Sequence, residues 1–296
     1  MELAAPDRSE LVDLGRMRLR VWEWGAAADP AVLCVHGAYD HGRMWDGIAP
    51  RLVERGLRVV APDLRGHGDS GRLSSGQTWA AMVLDLALLV RRIGPPVGLL
   101  GHSFGGGQVL TVAATWPELV PWVVNIDGLG PPSAAFEERD MVEAATTGLA
   151  MAERVRTAPP RVHASRADMA DRRQRINVRL PREWIEHLVE HGSREVEGGF
   201  VWKSDPLFGV GLPMSFDLAS IEAEHERVTC PVLVLTGSEA DTWSELTPDE
   251  LVSRLRHLPG ARHQVVTGAG HYAHIEQLDA VTAIIGSFLD EIGTPP

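Results

Sequence analysis

The stretch Val97-Gly98-Leu99-Leu100-Gly101-His102-Ser103-Phe104-Gly105-Gly106-Gly107 decides the fold of this chain. Its first residues are apolar and typical of a buried strand, and the residues after Ser103 begin a helix-like segment. A Gly-x-Ser-x-Gly sequence between a strand and a helix predicts a strained turn that lifts the serine hydroxyl above the edge of a sheet. We therefore expect Ser103 to be a nucleophile. A glycine-rich tight turn with an incidental serine is the alternative.

His271 is the candidate base for this serine. It lies in Gly268-Ala269-Gly270-His271-Tyr272, straight after the strand-like run Gln264–Thr267 near the end of the chain. A loop at that place can carry an imidazole over the sheet edge toward Ser103. Because a neutral imidazole takes up a proton near pH 7, it can accept the serine proton and return it to the leaving group.

Asp241 is the expected acid of the triad. It lies in the loop after the strand-like Val232–Thr236 and stands between the serine and the histidine in the required chain order. Glu239 and Asp127 remain alternatives. Asp127 ends the strand before a long insertion, where its carboxylate would naturally bind the amides of a glycine turn.

The rest of the chain alternates between short apolar runs and longer helix-like segments. The runs predict strands at Leu19–Trp24, Ala31–His36, Val59–Pro62, Val97–Gly101, Val123–Ile126, Val232–Thr236 and Gln264–Thr267. Apolar residues at three- and four-residue spacing predict helices at Trp45–Arg55, Thr78–Ile93, Phe104–Trp116, Pro248–Leu258 and Gln277–Ile292. This alternation predicts an α/β fold with a mostly parallel, doubly wound sheet.

The alternation breaks between residues 129 and 227. Helix-like patterns such as Phe136–Arg156 and Arg182–His191 follow one another there without a convincing buried strand. We expect a core domain of residues 1–128 and 228–296. Residues 129–227 should form a helical cap over the carboxyl ends of the strands, inserted before the last two strands.

Several motifs of the chain resemble the α/β-hydrolase superfamily, and the resemblance covers nearly the whole length. They are His36-Gly37, Pro62-Asp63-Leu64-Arg65-Gly66-His67-Gly68-Asp69-Ser70, Gly101-His102-Ser103-Phe104-Gly105-Gly106, Pro231-Val232-Leu233-Val234-Leu235 and Gly270-His271. The chain is similar to serine-nucleophile, esterase-like members with a helical cap. The resemblance implies an α/β-hydrolase fold and a Ser-His-Asp triad that works through an acyl-enzyme.

The residues narrow the activities that this resemblance implies. Epoxide hydrolases and haloalkane dehalogenases carry an aspartate nucleophile where this chain has Ser103. Epoxide opening in that family also relies on tyrosines of the cap, whereas the two tyrosines of this chain, Tyr39 and Tyr272, lie outside it. We expect hydrolysis of an ester, thioester or lactone bond in a small apolar molecule. A C–C bond hydrolase or lyase with the same triad, or a receptor-like protein with little turnover, remains an alternative.

Two further groups of site residues follow from the same motifs. The backbone amides of Ala38, after the His-Gly pair, and of Phe104, after the nucleophile, are the expected oxyanion-hole donors. Aromatic residues beside the motifs or in the cap are candidates for the substrate pocket, with ordinary core packing as the alternative for each: Tyr39, Trp45, Trp202, Trp243 and Tyr272.

Composition excludes other classes of function. The net charge of −12 over 296 residues disfavours nucleic acid and anionic membranes as partners. The 12 histidines include no His-Glu-x-x-His spacing, so we expect neither a metal nor an organic cofactor. The two cysteines, Cys34 and Cys230, and the lack of a signal-like or membrane-spanning stretch predict a cytoplasmic protein. The oligomeric state stays open.

One local charge excess stands out against this acidic background. Nine arginines and two acids occur between Arg154 and Arg182. An anionic substrate or an acidic partner would suit such a segment. A solvated helix face that pairs with the acid-rich Glu183–Glu197 is the interpretation we favour.

Overall fold

A computed structural model describes residues 3–27, 30–73, 78–133, 141–158, 160–209, 217–243 and 246–293. The central feature is a sheet of eight strands in the order β1-β2-β4-β3-β5-β6-β9-β10. Its strands are β1 (Arg8–Asp13), β2 (Arg18–Trp24), β3 (Ala31–Val35), β4 (Arg58–Pro62), β5 (Gly98–His102), β6 (Val123–Ile126), β9 (Val232–Gly237) and β10 (Ala261–Val266). Only the β1–β2 and β2–β4 pairs are antiparallel, so the predicted mostly parallel sheet is confirmed.

Strand β1 is the element of this sheet that the apolar runs did not predict. Its residues are exposed except for Val12, because β1 lies at the edge of the sheet and pairs only with β2. A strand of this kind carries little apolar signal. The other seven strands match the predicted runs within a few residues.

Helices cover both faces of the sheet. They are α1 (Ala49–Val53), α2 (Trp79–Ile93), α3 (Phe104–Thr115), α8 (Pro248–Arg256), α9 (Ala273–Glu276) and α10 (Leu278–Glu291). The start of α2 is fixed by Thr78, whose side chain accepts a hydrogen bond from the amide of Ala81. The helix ends at Gly94, which has a φ of 101° that favours glycine.

The core lies in two layers, one on each face of the sheet. Successive side chains of a strand point to opposite faces, and every residue of β3 is buried. Val32 and Cys34 pack into one layer, and Leu33 and Val35 pack into the other. This burial on both faces explains why β3 is a continuous apolar run rather than an alternating one.

Residues 129–227, which we call the insertion, connect β6 to β9. The insertion contains α4 (Met141–Thr157), α5 (Arg166–Ile176), α6 (Arg182–Gly192), α7 (Leu218–His225) and an antiparallel hairpin of β7 (Ser193–Val196) and β8 (Gly199–Trp202). The sequence predicted no strand there, because each hairpin strand has only four residues. The start of the predicted helix Phe136–Arg156 lies outside the described residues.

Buried histidines make the stability of this fold depend on pH. Burial lowers the pKa of His36 to about 4, of His67 to about 3 and of His274 to about 3. All three are therefore neutral in the folded protein at neutral pH, whereas they take up protons near pH 6.5 in the unfolded chain. The free energy of unfolding is therefore highest, as far as these histidines are concerned, above pH 6.5, and it decreases as the pH falls from 6.5 toward about 4.

We expect the melting temperature to fall clearly between pH 7.5 and 5.5, measured by circular dichroism. By proton linkage, each of these histidines lowers the free energy of unfolding by about 1.4 kcal/mol for each pH unit below 6.5. His274→Phe is a suitable comparison, because the His274 ring packs at 4.9 Å from Trp45 and 4.7 Å from His102. That variant should lose less stability on acidification. A wild-type melting temperature that stays constant over this range would contradict the prediction.

Candidate active site

Ser103 sits at the turn between β5 and α3. Its φ of 53° and ψ of −121° are a strained combination for a residue with a side chain. Glycines on both sides make the turn possible: a Cβ on Gly105 would lie 2.4 Å from the carbonyl oxygen of Val35, and one on Gly101 would lie 2.5 Å from that of Gly105. The strained turn and its close neighbours match the geometry that the Gly-x-Ser-x-Gly sequence predicts.

His271 lies in the loop after β10, and its imidazole is bonded to Asp127. The distance from His271 Nδ1 to Asp127 Oδ2 is 2.6 Å, and the imidazole is almost fully buried. A carboxylate only accepts hydrogen bonds, so Nδ1 carries the proton in this pair. Nε2 of the neutral ring is then the nitrogen that can accept a proton.

Asp127 is held in place by its own backbone at the end of β6. Its amide donates to the carbonyl of Leu235 at 2.8 Å, and its φ is 49°. The glycine turn that follows is held by Asn125 instead, which accepts from the amide of Gly128 at 2.9 Å and donates to the carbonyl of Gly128 at 3.1 Å. The carboxylate of Asp127 is thereby left for the imidazole.

Asp241 occupies a different place from the one that the sequence favoured. Its Oδ2 accepts a hydrogen bond from the backbone amide of His271 at 3.2 Å, and its Oδ1 accepts one from the amide of Trp243 at 3.4 Å. The structure brings Asp127, the alternative, to the imidazole nitrogen. Strand order gives the reason, because β6 lies directly beside β5, which ends just before Ser103, and β9 lies one strand farther away. Glu239 is exposed and contacts Ser238.

The loop after β3 lies against Ser103. A Cβ on Gly37 would lie 3.4 Å from the Cβ of Ser103. His36 donates from Nδ1 to the carbonyl of Gly37 at 2.7 Å and accepts at Nε2 from the amide of Leu64 at 2.9 Å. Ala38 therefore follows a fixed backbone beside Ser103, and Phe104 follows Ser103 itself. The oxyanion-hole role of the Ala38 and Phe104 amides stays a prediction.

The five pocket candidates fall in different environments. Tyr39 is 53% exposed and Trp243 is 38% exposed, whereas Trp45 is fully buried and packs in the core. Trp202 is partly buried. Tyr272 is buried and donates its hydroxyl hydrogen to Asp40 at 3.1 Å. For Trp45 and Tyr272 the core-packing alternative describes what the structure shows.

Phe208 of the insertion contacts side chains near Ser103, although the sequence did not single it out. Its ring centroid lies 5.4 Å from Phe104 and 5.2 Å from Tyr39. It also packs edge-on against His67 at 4.3 Å. The insertion thus places an aromatic side chain beside Phe104, the residue that follows Ser103.

The arginine-rich segment is not simply a solvated face. Arg182 does pair with Glu186, at 2.8 Å on the surface. Arg173, by contrast, has a side chain that is only 11% exposed and forms an ion pair with the buried Asp40 of the core, and Asp40 also accepts from Tyr272. Only the distant partners in the fold distinguish these arginines, so their local sequence gave no signal of the difference.

One group of side chains among the described residues has metal-ligand chemistry. The ligand-type atoms of Asp46, His187 and His191 lie within 4.8 Å of one another. The positively charged guanidinium of Arg43 already binds this group. It donates from Nε to Asp46 at 2.9 Å and from Nη1 to His191 at 3.3 Å. We interpret the group as a polar junction between α6 and the core.

Comparison with known proteins shows which family this fold and site belong to. The model of the alpha/beta hydrolase family matches residues 32–284, and the chain belongs to that family. It is an alpha/beta hydrolase enzyme with the fold that the motifs implied.

Individual relatives match nearly the whole chain. The 2-(acetamidomethylene)succinate hydrolase of Mesorhizobium japonicum is 30% identical, with 95% of this chain and 95% of that protein covered. The sn-1-specific diacylglycerol lipase of Mus musculus is 28% identical, with 88% of this chain and 82% of that protein covered. The structure of the thioesterase domain from the curacin biosynthetic pathway superposes with a TM-score of 0.82 at 22% identity, covering 94% of this chain and 98% of that domain. This last likeness concerns the fold alone.

Among the described residues, no helix is both long enough and apolar enough to cross a bilayer.

Proposed function

We propose that Ser103, His271 and Asp127 form a catalytic triad that hydrolyses an ester, thioester or lactone bond of a small, largely apolar molecule. The observation that carries this proposal is the 2.6 Å hydrogen bond between His271 Nδ1 and Asp127. It puts the imidazole in the tautomer that a serine hydrolase needs. The strained turn at Ser103 supplies the nucleophile.

The reaction has two halves that share one base. His271 Nε2 takes the proton of the Ser103 hydroxyl as Oγ attacks the substrate carbonyl. The bond to the leaving group then breaks, and His271 returns the proton to that group, which leaves an acyl-enzyme. Water attacks the acyl-enzyme in the same way, so that the acid is released and the Ser103 hydroxyl is restored.

Charge develops at two places during this reaction, and neighbouring groups stabilise both charges. The carboxylate of Asp127 stabilises the imidazolium that forms on His271. The amides of Ala38 and Phe104 would donate to the oxyanion of the tetrahedral intermediate. Removal of one such donor typically costs about 10²–10³ in turnover.

We further propose that residues 129–227 cap the site of a core domain formed by residues 1–128 and 228–296. The contacts of Phe208 with Phe104 and Tyr39 support this role. An apolar cover excludes water around the reacting carbonyl and favours apolar substrates. The intact His271–Asp127 pair favours an enzyme over a receptor-like protein with little turnover.

Labelling with a fluorophosphonate tests this function before any natural substrate is known. We expect a single adduct on the peptide that contains Ser103, located by mass spectrometry. A panel of p-nitrophenyl esters, acyl thioesters and lactones then ranks the bond types by kcat/KM. If Ser103 stays unlabelled and no member of the panel is turned over, the proposed hydrolase function is wrong.

A further inference from the structure

Arg179 of the insertion contacts the loop that carries His271. It lies between α5 and α6, and its guanidinium makes two bonds outside the insertion. Nε donates to Glu276 Oε2 at 2.7 Å, and Nη2 donates to the carbonyl of Gly268 at 2.8 Å. A side chain of the insertion is thus fixed to the backbone three residues before the histidine.

Glu276 extends this contact to the residue next to His271. The same Oε2 accepts a hydrogen bond from the amide of Gly270 at 3.0 Å. The Glu276 side chain is only 5% exposed, and a buried carboxylate without a cationic partner is strongly unfavourable. Arg179 therefore keeps Glu276 in its hydrogen-bonded position, and Glu276 in turn holds the Gly270 amide.

The same loop is also held through Asp241. Asp241 accepts from the His271 amide, and the next residue, Thr242, donates its hydroxyl hydrogen to the carbonyl of Ile176 in the insertion at 3.3 Å. A Cβ on Gly270 would lie 2.6 Å from Asp241 Oδ2 and 2.8 Å from Arg179 Cδ. Arg179 and Asp241 hence pack on the same face of Gly270.

From these contacts we propose that Arg179 is a positioning residue, through which the insertion holds His271 at the distance where its imidazole bonds Asp127. The inference rests on the proposed triad and adds that the position of its base, His271, depends on contacts with the insertion. Opening of the insertion would break the bonds to Glu276 and Gly268 and release the histidine loop. A misplacement of about 1 Å is enough to lower turnover about 10²-fold.

The test compares Arg179→Gln with Arg182→Gln. Arg182 lies three residues farther along the insertion, and its ion pairs among the described residues are with the exposed side chains of Asp171 and Glu186. We expect Arg179→Gln to lower kcat about 10- to 100-fold, with KM changed less than about 3-fold, because the proposed role of Arg179 is to hold the base and not to bind the substrate. Arg182→Gln should keep wild-type kcat. Equal kcat in both variants would overturn the proposal.

A spectroscopic readout separates positioning from a purely structural role. The proton between His271 Nδ1 and Asp127 gives a far-downfield ¹H NMR signal when that hydrogen bond is short. We expect Arg179→Gln to shift or broaden this signal while Tm changes by only a few degrees. If Arg179→Gln fails to fold, Gly270→Ala tests the same contact, because its methyl group displaces Arg179 and Asp241. An unchanged signal and unchanged kcat in a folded variant refute the positioning role.

Failure of this inference is distinguishable from failure of the proposed function. If the wild type neither labels at Ser103 nor turns over esters, the hydrolase function itself is wrong. If the wild type does both and Arg179→Gln matches it, only the positioning role is wrong. Glu276→Ala, which removes the acceptor of both Arg179 and the Gly270 amide, should lower kcat like Arg179→Gln, and the double variant should be little worse than either single one, because both substitutions remove the Arg179–Glu276 hydrogen bond.

Discussion

Ser103→Ala should lower kcat by at least about 10³-fold while the protein folds as before. The substitution removes the oxygen that attacks the substrate and leaves only oxyanion-hole and binding contributions. The Ser103 side chain caps no amide of α3, and alanine tolerates the φ of 53° no worse than serine does. Turnover of p-nitrophenyl butyrate and thermal melting measure the two effects separately.

Ser287→Ala is the matched control for this variant. Ser287 is exposed on α10, and within the described part of the chain its hydroxyl donates to the carbonyl of Ala283 one turn earlier. Its turnover and Tm should equal those of the wild type. If Ser103→Ala keeps measurable esterase activity above a few percent, the nucleophile lies elsewhere and the proposed mechanism fails with it.

The sequence predicted the sheet well because most of its strands are buried on both faces. A run such as Val123–Ile126 contains no exposed position that would interrupt it, so its hydrophobicity alone reveals it. Strand β1 follows the opposite rule, since only Val12 of its six residues is buried. The hairpin β7–β8 is short, and its turn depends on Gly198 with a φ of 85°. Such strands form because they pair with other strands, and the hydrophobic pattern of a single segment does not reveal that pairing.

The partner of the imidazole was harder to predict than the serine or the histidine. Chain order and loop position allow both Asp241 and Asp127, and only strand order decides which carboxylate reaches Nδ1. One local signal was available: Asn125 can hold the glycine turn by itself, so Asp127 is not needed there. The contacts of Arg173 and Phe208 join parts of the chain more than a hundred residues apart, and no sequence spacing encodes them.

Asp127→Asn should lower turnover about 10²–10⁴-fold, because an amide neither stabilises the imidazolium nor enforces the Nδ1–H tautomer. The fold should survive this change. The Asp127 side chain is about one-fifth exposed, and the neighbouring turn is held by Asn125. The measurement is kcat/KM with an activated ester, with Tm as the control for folding.

Asp241→Asn is the comparison that decides between the two carboxylates. Asparagine keeps an oxygen that can accept from the His271 amide at the place where Asp241 Oδ2 accepts now, so this variant should keep most of its turnover. Loss of charge alone has little effect there, since Asp241 bonds a neutral amide rather than the imidazole. The two variants therefore separate an acid that stabilises charge from a residue that holds a loop. A catalytic collapse in Asp241→Asn beside an active Asp127→Asn would return the role to Asp241. It would also mean that the imidazole turns toward Asp241 when substrate binds.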